Sequence, residues 1–217
     1  MAKIIYWNLE NNNADKILNS VATIFNQDFD VMFLSEITSK GKGLEKKLEY
    51  AAKQYGKNIY INILFVRGTT YFGHGESIAV LSTVELKNIS VLNVGTSQQS
   101  RDIIVVEFFG GFKVATFHLS CSNTAQKTSE RQNIIQRLKN NEFQCAIGDW
   151  NTEPNGLRYR GLEILPPDAD TTSNKKKLDY TIINENCQAN GYTTDVLKFY
   201  GSRTSNHFPI KVEAVLN

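Results

Sequence analysis

The chain has 217 residues, with 24 Lys and Arg against 22 Asp and Glu and a formal net charge of +2. Hydrophobic residues make up 41%, charged residues 21%, and the mean hydropathy is -0.32; this ordinary globular composition excludes disordered, collagen-like and coiled-coil chains. No apolar run approaches the roughly 18 residues of a membrane span, and so weak a net field leaves any nucleic acid to be held by a local patch.

A chain of this length predicts a single domain over 1–217, burying about 70% of its unfolded surface without a disulfide or metal staple. Lys3–Trp7 reads as a buried strand that runs at once into polar residues, which is not the pattern of a secretory leader. Residues 14–26 place Ile17, Leu18, Val21, Ile24 and Phe25 on one helical face. Val31–Ser35 follows as a strand and Gly43–Tyr55 as a helix. Asn58–Val66 and Ser77–Ser82 read as strands around the turn Gly73-His74-Gly75, and Ile103–Phe109 with Lys113–His118 as a hairpin about Gly110-Gly111. Thr128–Lys139 is helical with Ile134, Ile135 and Leu138 inward. Gln144–Ile147, Asp179–Ile183 and Lys211–Val215 complete the strands, and 166–177 is a polar loop. Two strand–helix units, then hairpins, then strand–helix–strand predict an α/β sandwich of two mixed sheets with helices on the outside. Cys121, Cys145 and Cys187 are odd in number and form no C-x-x-C pair. They are expected to be buried free thiols, in a reducing, cytoplasmic compartment.

Polar side chains recur where an apolar strand stops. Asn8 and Glu10 follow the first strand, Glu36 the second, His118 ends Ala115-Thr116-Phe117-His118, and Asp149 and Asn151 follow Cys145-Ala146-Ile147. Asp179 opens its strand, and His207 sits in the turn Ser205-Asn206-His207-Phe208-Pro209. Any one of these is an ordinary turn former or cap. Together they place carboxylates, amides and imidazoles where strand ends converge on one sheet edge. Hard divalent cations take oxygen ligands. Hydrolysis of a phosphoester needs an activated water, charge stabilisation at the phosphoryl oxygens and help for the leaving group. These residue types supply all three. A P-loop, a dinucleotide fingerprint and a zinc motif are absent from the sequence.

The motifs Trp7-Asn8-Leu9-Glu10, Ser35-Glu36, Phe117-His118-Leu119, Gly148-Asp149-Trp150-Asn151, Leu178-Asp179-Tyr180 and Ser205-Asn206-His207 occur in the order of the endonuclease/exonuclease/phosphatase superfamily, which the chain resembles over residues 3–215. The segment Gly148–Pro154 looks most like deoxyribonuclease I and the nuclease subunit of cytolethal distending toxins. The resemblance implies a four-layered α/β sandwich with the site at one edge, and a Mg²⁺ cofactor, with Mn²⁺ as a substitute. It implies that Glu36 holds the metal with Asn8 and Glu10 beside it. Asp149 would orient or deprotonate the attacking water, Asn151 would bind phosphate and position Asp149, and His118 would bind the scissile phosphate or protonate the leaving oxygen. His207 would bind phosphate or act as base, held in its tautomer by Asp179, and Arg101 would lie near the phosphate. The last motif departs from the family's Ser-Asp-His: Asn206 replaces the acid, which implies weaker or altered metal binding, with Glu10 as a compensating acid.

DNA, contacted at its backbone, is the expected partner of a monomeric, non-specific endonuclease. Lys175, Lys176 and Lys177, just before Asp179, are placed to meet phosphates, and Tyr71 and His74 to enter a groove. The alternatives are a phosphomonoesterase or phospholipid phosphodiesterase of the same fold, and a binding module that Asn206 has weakened catalytically. A serine hydrolase built on Ser77, Asp179 and His207 needs a strand–Ser–helix elbow, and Ser77 instead opens an apolar run that reads as a strand.

Overall fold

The computed structural model describes residues 1–9, 24–37, 43–66, 76–94, 101–121, 124–188 and 205–216. Its strands are β1 (Ala2–Asn8), β2 (Val31–Ile37), β3 (Tyr60–Val66), β4 (Glu76–Ser82), β5 (Asn88–Asn93), β6 (Asp102–Glu107), β7 (Lys113–His118), β8 (Cys145–Asp149), β9 (Leu162–Leu165), β10 (Asp179–Asn184), β11 (Cys187–Gln188) and β12 (Ile210–Leu216). The described helices are α1 (Leu44–Gln54) and α2 (Thr124–Lys139). The strands form two six-stranded sheets, in the orders β11-β12-β1-β2-β4-β3 and β5-β6-β7-β8-β10-β9. Each is mixed: β1 runs parallel to β2 and β7 parallel to β8, and the other ladders are antiparallel.

Alternation along each strand divides the apolar residues between two faces. Ile4 and Tyr6 of β1, Phe33 of β2, Ile104 of β6, Val114 of β7, Ile147 of β8 and Val212 of β12 fill the space between the sheets. The opposite faces are covered separately. Ile5, Trp7, Met32 and Leu34 pack with Leu44 and Leu48 of α1, and Phe117, Ala146, Trp150 and Tyr180 pack in the cluster that holds Ile134 and Leu138 of α2. The result is helix, sheet, sheet, helix, the four layers expected.

The expected elements appear with small shifts at their ends. The helix foreseen over 14–26 lies outside the described residues except for its end, where Ile24 and Phe25 are fully buried. Strands β5, β9 and β11, all at sheet edges, were not foreseen. Ser77 lies within β4, as its apolar surroundings imply. Cys145 and Cys187 are buried free thiols, but Cys121 is exposed, a correction to the expected burial; it lies just past β7, beyond the last residue that the sheet covers. Among the described residues, no helix is long and apolar enough to cross a membrane.

Candidate active site

The same alternation that fills the core aims the site. Ile4, Tyr6 and Asn8 of β1 share the inter-sheet face, as do Val114, Thr116 and His118 of β7, Cys145, Ile147 and Asp149 of β8, and Asp179, Thr181 and Ile183 of β10. Because β1 and β2 are parallel, as are β7 and β8, their C-terminal ends reach the same edge. The antiparallel strands β10 and β12 begin at that edge. Four polar residues therefore replace apolar ones at the rim of the gap.

Glu36 gets there by a different device. Regular alternation would turn it away from Ser35, toward the α1 side. A register shift between Leu34 and Ile37 marks a bulge in β2, and Glu36 occupies the left-handed region at φ 56. The bulge lets Ile37 join the outer core while the Glu36 carboxylate swings inward. A non-glycine residue held in this region costs on the order of 1 kcal/mol and is kept where the surroundings demand it. Asn151, at φ 47, is a second such residue just past β8.

The geometry joins the two sheets. Asn8 Nδ2 donates to Glu36 Oε1 at 3.0 Å and to Asp149 Oδ2 at 3.1 Å. His118 Nδ1 lies 3.0 Å from Glu36 Oε1, and its Nε2 lies 3.7 Å from Asp149 Oδ2. His207 Nδ1 pairs with Asp179 Oδ2 at 2.8 Å, leaving Nε2 3.8 Å from Asp149 Oδ2. Asp149 thus faces both imidazoles, while the Asn151 backbone N–H donates to its Oδ1 at 2.8 Å. The Asn151 side chain donates to Leu119 O at 2.7 Å, which ties the end of β8 to that of β7.

The turn that carries His207 is held as firmly. Ser205 Oγ donates to Asn8 O at 2.7 Å and accepts from the His207 N–H at 3.0 Å. Trp7 Nε1 donates to His207 O at 2.9 Å. The loop before β10 supports the turn through an isolated bridge between Thr172 and His207 and through the Ser173 N–H, which donates to Asn206 O at 2.7 Å.

Burial sets the charge states. It raises the Asp179 carboxyl to about 6, with a push from the Asp149 charge and a partial offset from the His207 bond. For His207, burial acts to lower the pKa, but the hydrogen bond and charge of Asp179, reinforced by Asp149 and Glu36, lift it to about 9. At neutral pH the pair is therefore carboxylate and imidazolium. Burial, then the charges of Asp149 and Asp179, hold the Tyr6 phenol protonated against Ser35 Oγ, 2.8 Å away.

Asn8, Glu36, His118, Asp149, Asn151, Asp179 and His207 thus converge as expected, and Asn206 borders them in the His207 turn. Glu10, Tyr71 and His74 lie outside the described residues. Arg101 is only 5% exposed, and its Nη1 donates to His118 O at 3.2 Å, the backbone of a site residue. Lys175 and Lys176 are exposed, whereas Lys177 Nζ is engaged by Pro167 O at 2.8 Å. The sequence reading missed Trp7, Lys127, Glu130 and Ser205 as supports. The available signals were Trp7 and Ser205, each inside a motif already quoted. The donor set is rich in hard oxygens, with Glu36 and Asp149 held close together by one amide, and suits a divalent cation of the Mg²⁺ type. Asp149, Asp179 and His207 also bring ligand atoms within 4.8 Å of one another.

No protein-family profile matches the chain, and no curated protein matches it by sequence. Solved structures match it throughout. An endonuclease/exonuclease/phosphatase family protein from Leptotrichia buccalis superposes with a TM-score of 0.75 at 18% identity, over 100% of both chains. The human Nocturnin catalytic domain gives 0.71 at 14% identity, covering 100% of this chain and 94% of its own. The Haemophilus ducreyi cytolethal distending toxin gives 0.64 at 16%, covering 97% of each chain. The chain therefore has the deoxyribonuclease I-like fold of the endonuclease/exonuclease/phosphatase proteins, the one that its ordered motifs resemble.

Proposed function

We propose that the protein is a metal-dependent phosphodiesterase, most specifically a non-specific DNA endonuclease that attacks the backbone with water. What supports this above all is the Asp149 carboxylate between two imidazole nitrogens, 3.7 and 3.8 Å away, at the buried edge where the sheets meet. Glu36 and Asn8, with Glu10 as the expected third group, would hold Mg²⁺ or Mn²⁺. When bound, the cation supplies positive charge to the phosphoryl oxygens. Asp149 accepts a proton from the attacking water, which forms the new P–O bond. His207, charged through Asp179, donates to a phosphoryl oxygen. His118 stands on the far side of Asp149 to bind the phosphate or to protonate the leaving oxygen as its bond to phosphorus breaks.

Supercoiled plasmid nicking tests this. Nicking is expected with Mg²⁺ or Mn²⁺, abolished by EDTA and by Asp149→Ala. Nicking that survives Asp149→Ala, or none with either metal, overturns the endonuclease reading; activity on phosphomonoesters or phospholipids would then assign the same site to the alternative substrates, and silence on all of them to a binding module.

A further inference from the structure

We propose that Glu130 of α2 is a positioning residue that fixes His118 from behind, an inference that rests on the phosphodiesterase reading for what His118 then does. Positions 130, 134 and 138 form one stripe of α2. Ile134 and Leu138 are apolar and sit in the outer core. At the turn nearest the site the stripe changes to a carboxylate that is 0% exposed. Burying a carboxylate is costly unless its oxygens are fully engaged, and those of Glu130 are. Oε1 accepts from the Arg101 backbone N–H at 3.1 Å, Ser120 Oγ at 3.0 Å and Gln126 Nε2 at 2.9 Å. Oε2 accepts from the Ser120 N–H at 3.0 Å.

These donors belong to the chain on both sides of His118 in space. Ser120 is two residues past it, and Arg101, just before β6, returns Nη1 to His118 O at 3.2 Å. One carboxylate therefore anchors the residue that grips the His118 carbonyl and the segment that leads away from it. The same helix holds the neighbouring strand end, since Lys127 Nζ donates to Asn151 O at 2.9 Å. The pattern serves the site rather than the core, because the core needs only another apolar residue at 130.

Glu130→Gln places an amide donor where one lobe now accepts N–H groups. Expected is a fall in kcat of about tenfold, the usual scale for groups that orient a site residue. The half-saturating Mg²⁺ should change by less than about twofold, because Asn8 Nδ2 still holds Glu36 Oε1 on the other sheet. In a His118→Ala background the same change should cost less than about twofold. Losses that multiply, or a Mg²⁺ requirement that worsens as much as kcat, overturn the proposal. A readout independent of activity uses the three histidines of the chain. At fixed pH, Glu130→Gln should displace the ring ¹H–¹³C signal of His118 and leave that of His207 in place; an unmoved His118 signal overturns the positioning role even in a protein that cuts DNA. If Glu130→Gln does not fold, Ser120→Ala, which removes only the bond to Oε1, should give the same pattern at about threefold. Absence of any phosphodiesterase activity counts against the proposed function, and the His118 signal still decides the positioning.

Discussion

His207 carries its proton at neutral pH because Asp179 accepts from it at 2.8 Å inside a buried edge. The proposed chemistry needs Asp179 ionised and His207 charged. The rate constant kcat/KM should therefore rise as pH climbs through about 6 and fall as it climbs through about 9. Asp179→Asn should move the alkaline limb down toward the ordinary histidine value of 6.5, and a limb that stays put would refute the pairing. On the alkaline side stability has the same sign. A raised imidazole pKa contributes fully below 6.5 and is lost as pH rises through about 9, so urea unfolding should show that loss in the wild type and less of it in Asp179→Asn. At position 206, an amide in place of an acid would leave the proposed metal site one charge short of the pattern that the sequence resembles. Asn206→Asp should lower the Mg²⁺ needed for half-maximal nicking, and an unchanged requirement would count against the weakened metal binding expected from Asn206. At this scale the sequence was most informative, since each catalytic candidate is a polar residue at an apolar strand's end. Glu130 was illegible for a physical reason: a glutamate on a helix reads as a solvated charge until the fold puts backbone N–H groups against it.

Strand β8 depends on one small residue. A Cβ at Gly148 would overlap the Phe117 carbonyl oxygen and come within 3.0 Å of the Phe117 ring. That ring packs edge-on against Trp150 at 4.6 Å, and Trp150 stacks on Tyr180 at 5.2 Å. Gly148→Ala should therefore cost about 1–3 kcal/mol, the scale of an overpacked core, seen as a lower urea midpoint, and should also misplace Asp149 one residue away. The bulge in β2 is the complementary case, an irregularity that no hydrophobic pattern announces. Alternation places Glu36 on the wrong face, and its place at the end of an apolar strand and the motif Ser35-Glu36 marked it for the site instead. The unforeseen strands fail for another reason. Strands β9 and β11 have four and two residues, and β5 is half exposed at an edge, so each owes its conformation to the ladder beside it more than to its own pattern.

The second sheet is a continuous stretch, β5 through β10, set between β4 and β11 of the first. Three links in the site's centre cross between the sheets: Asn8 to Asp149, His118 beside Glu36, His207 to Asp179. The two-sheet arrangement was legible from element order, whereas this nesting was not, because strand order depends on long-range pairing that periodicity does not encode. The net charge of +2 bears on substrate at the same scale. DNA affinity should fall only shallowly with salt, with a log–log slope no steeper than about -3, meaning about three phosphates contacted. Lys175→Ala and Lys176→Ala should each reduce that slope by about one, and Lys177→Ala, whose ammonium is held by Pro167 O, should leave it unchanged. The nesting also has a consequence in time. Trp7 and His207, bonded to each other, are 200 positions apart, and β1 lacks one neighbour until β12 is made. A growing polypeptide carries Glu36, His118 and Asp149 long before it carries the imidazole of His207, so under the proposed nuclease reading the nucleic acids around the ribosome should be spared until translation is nearly finished.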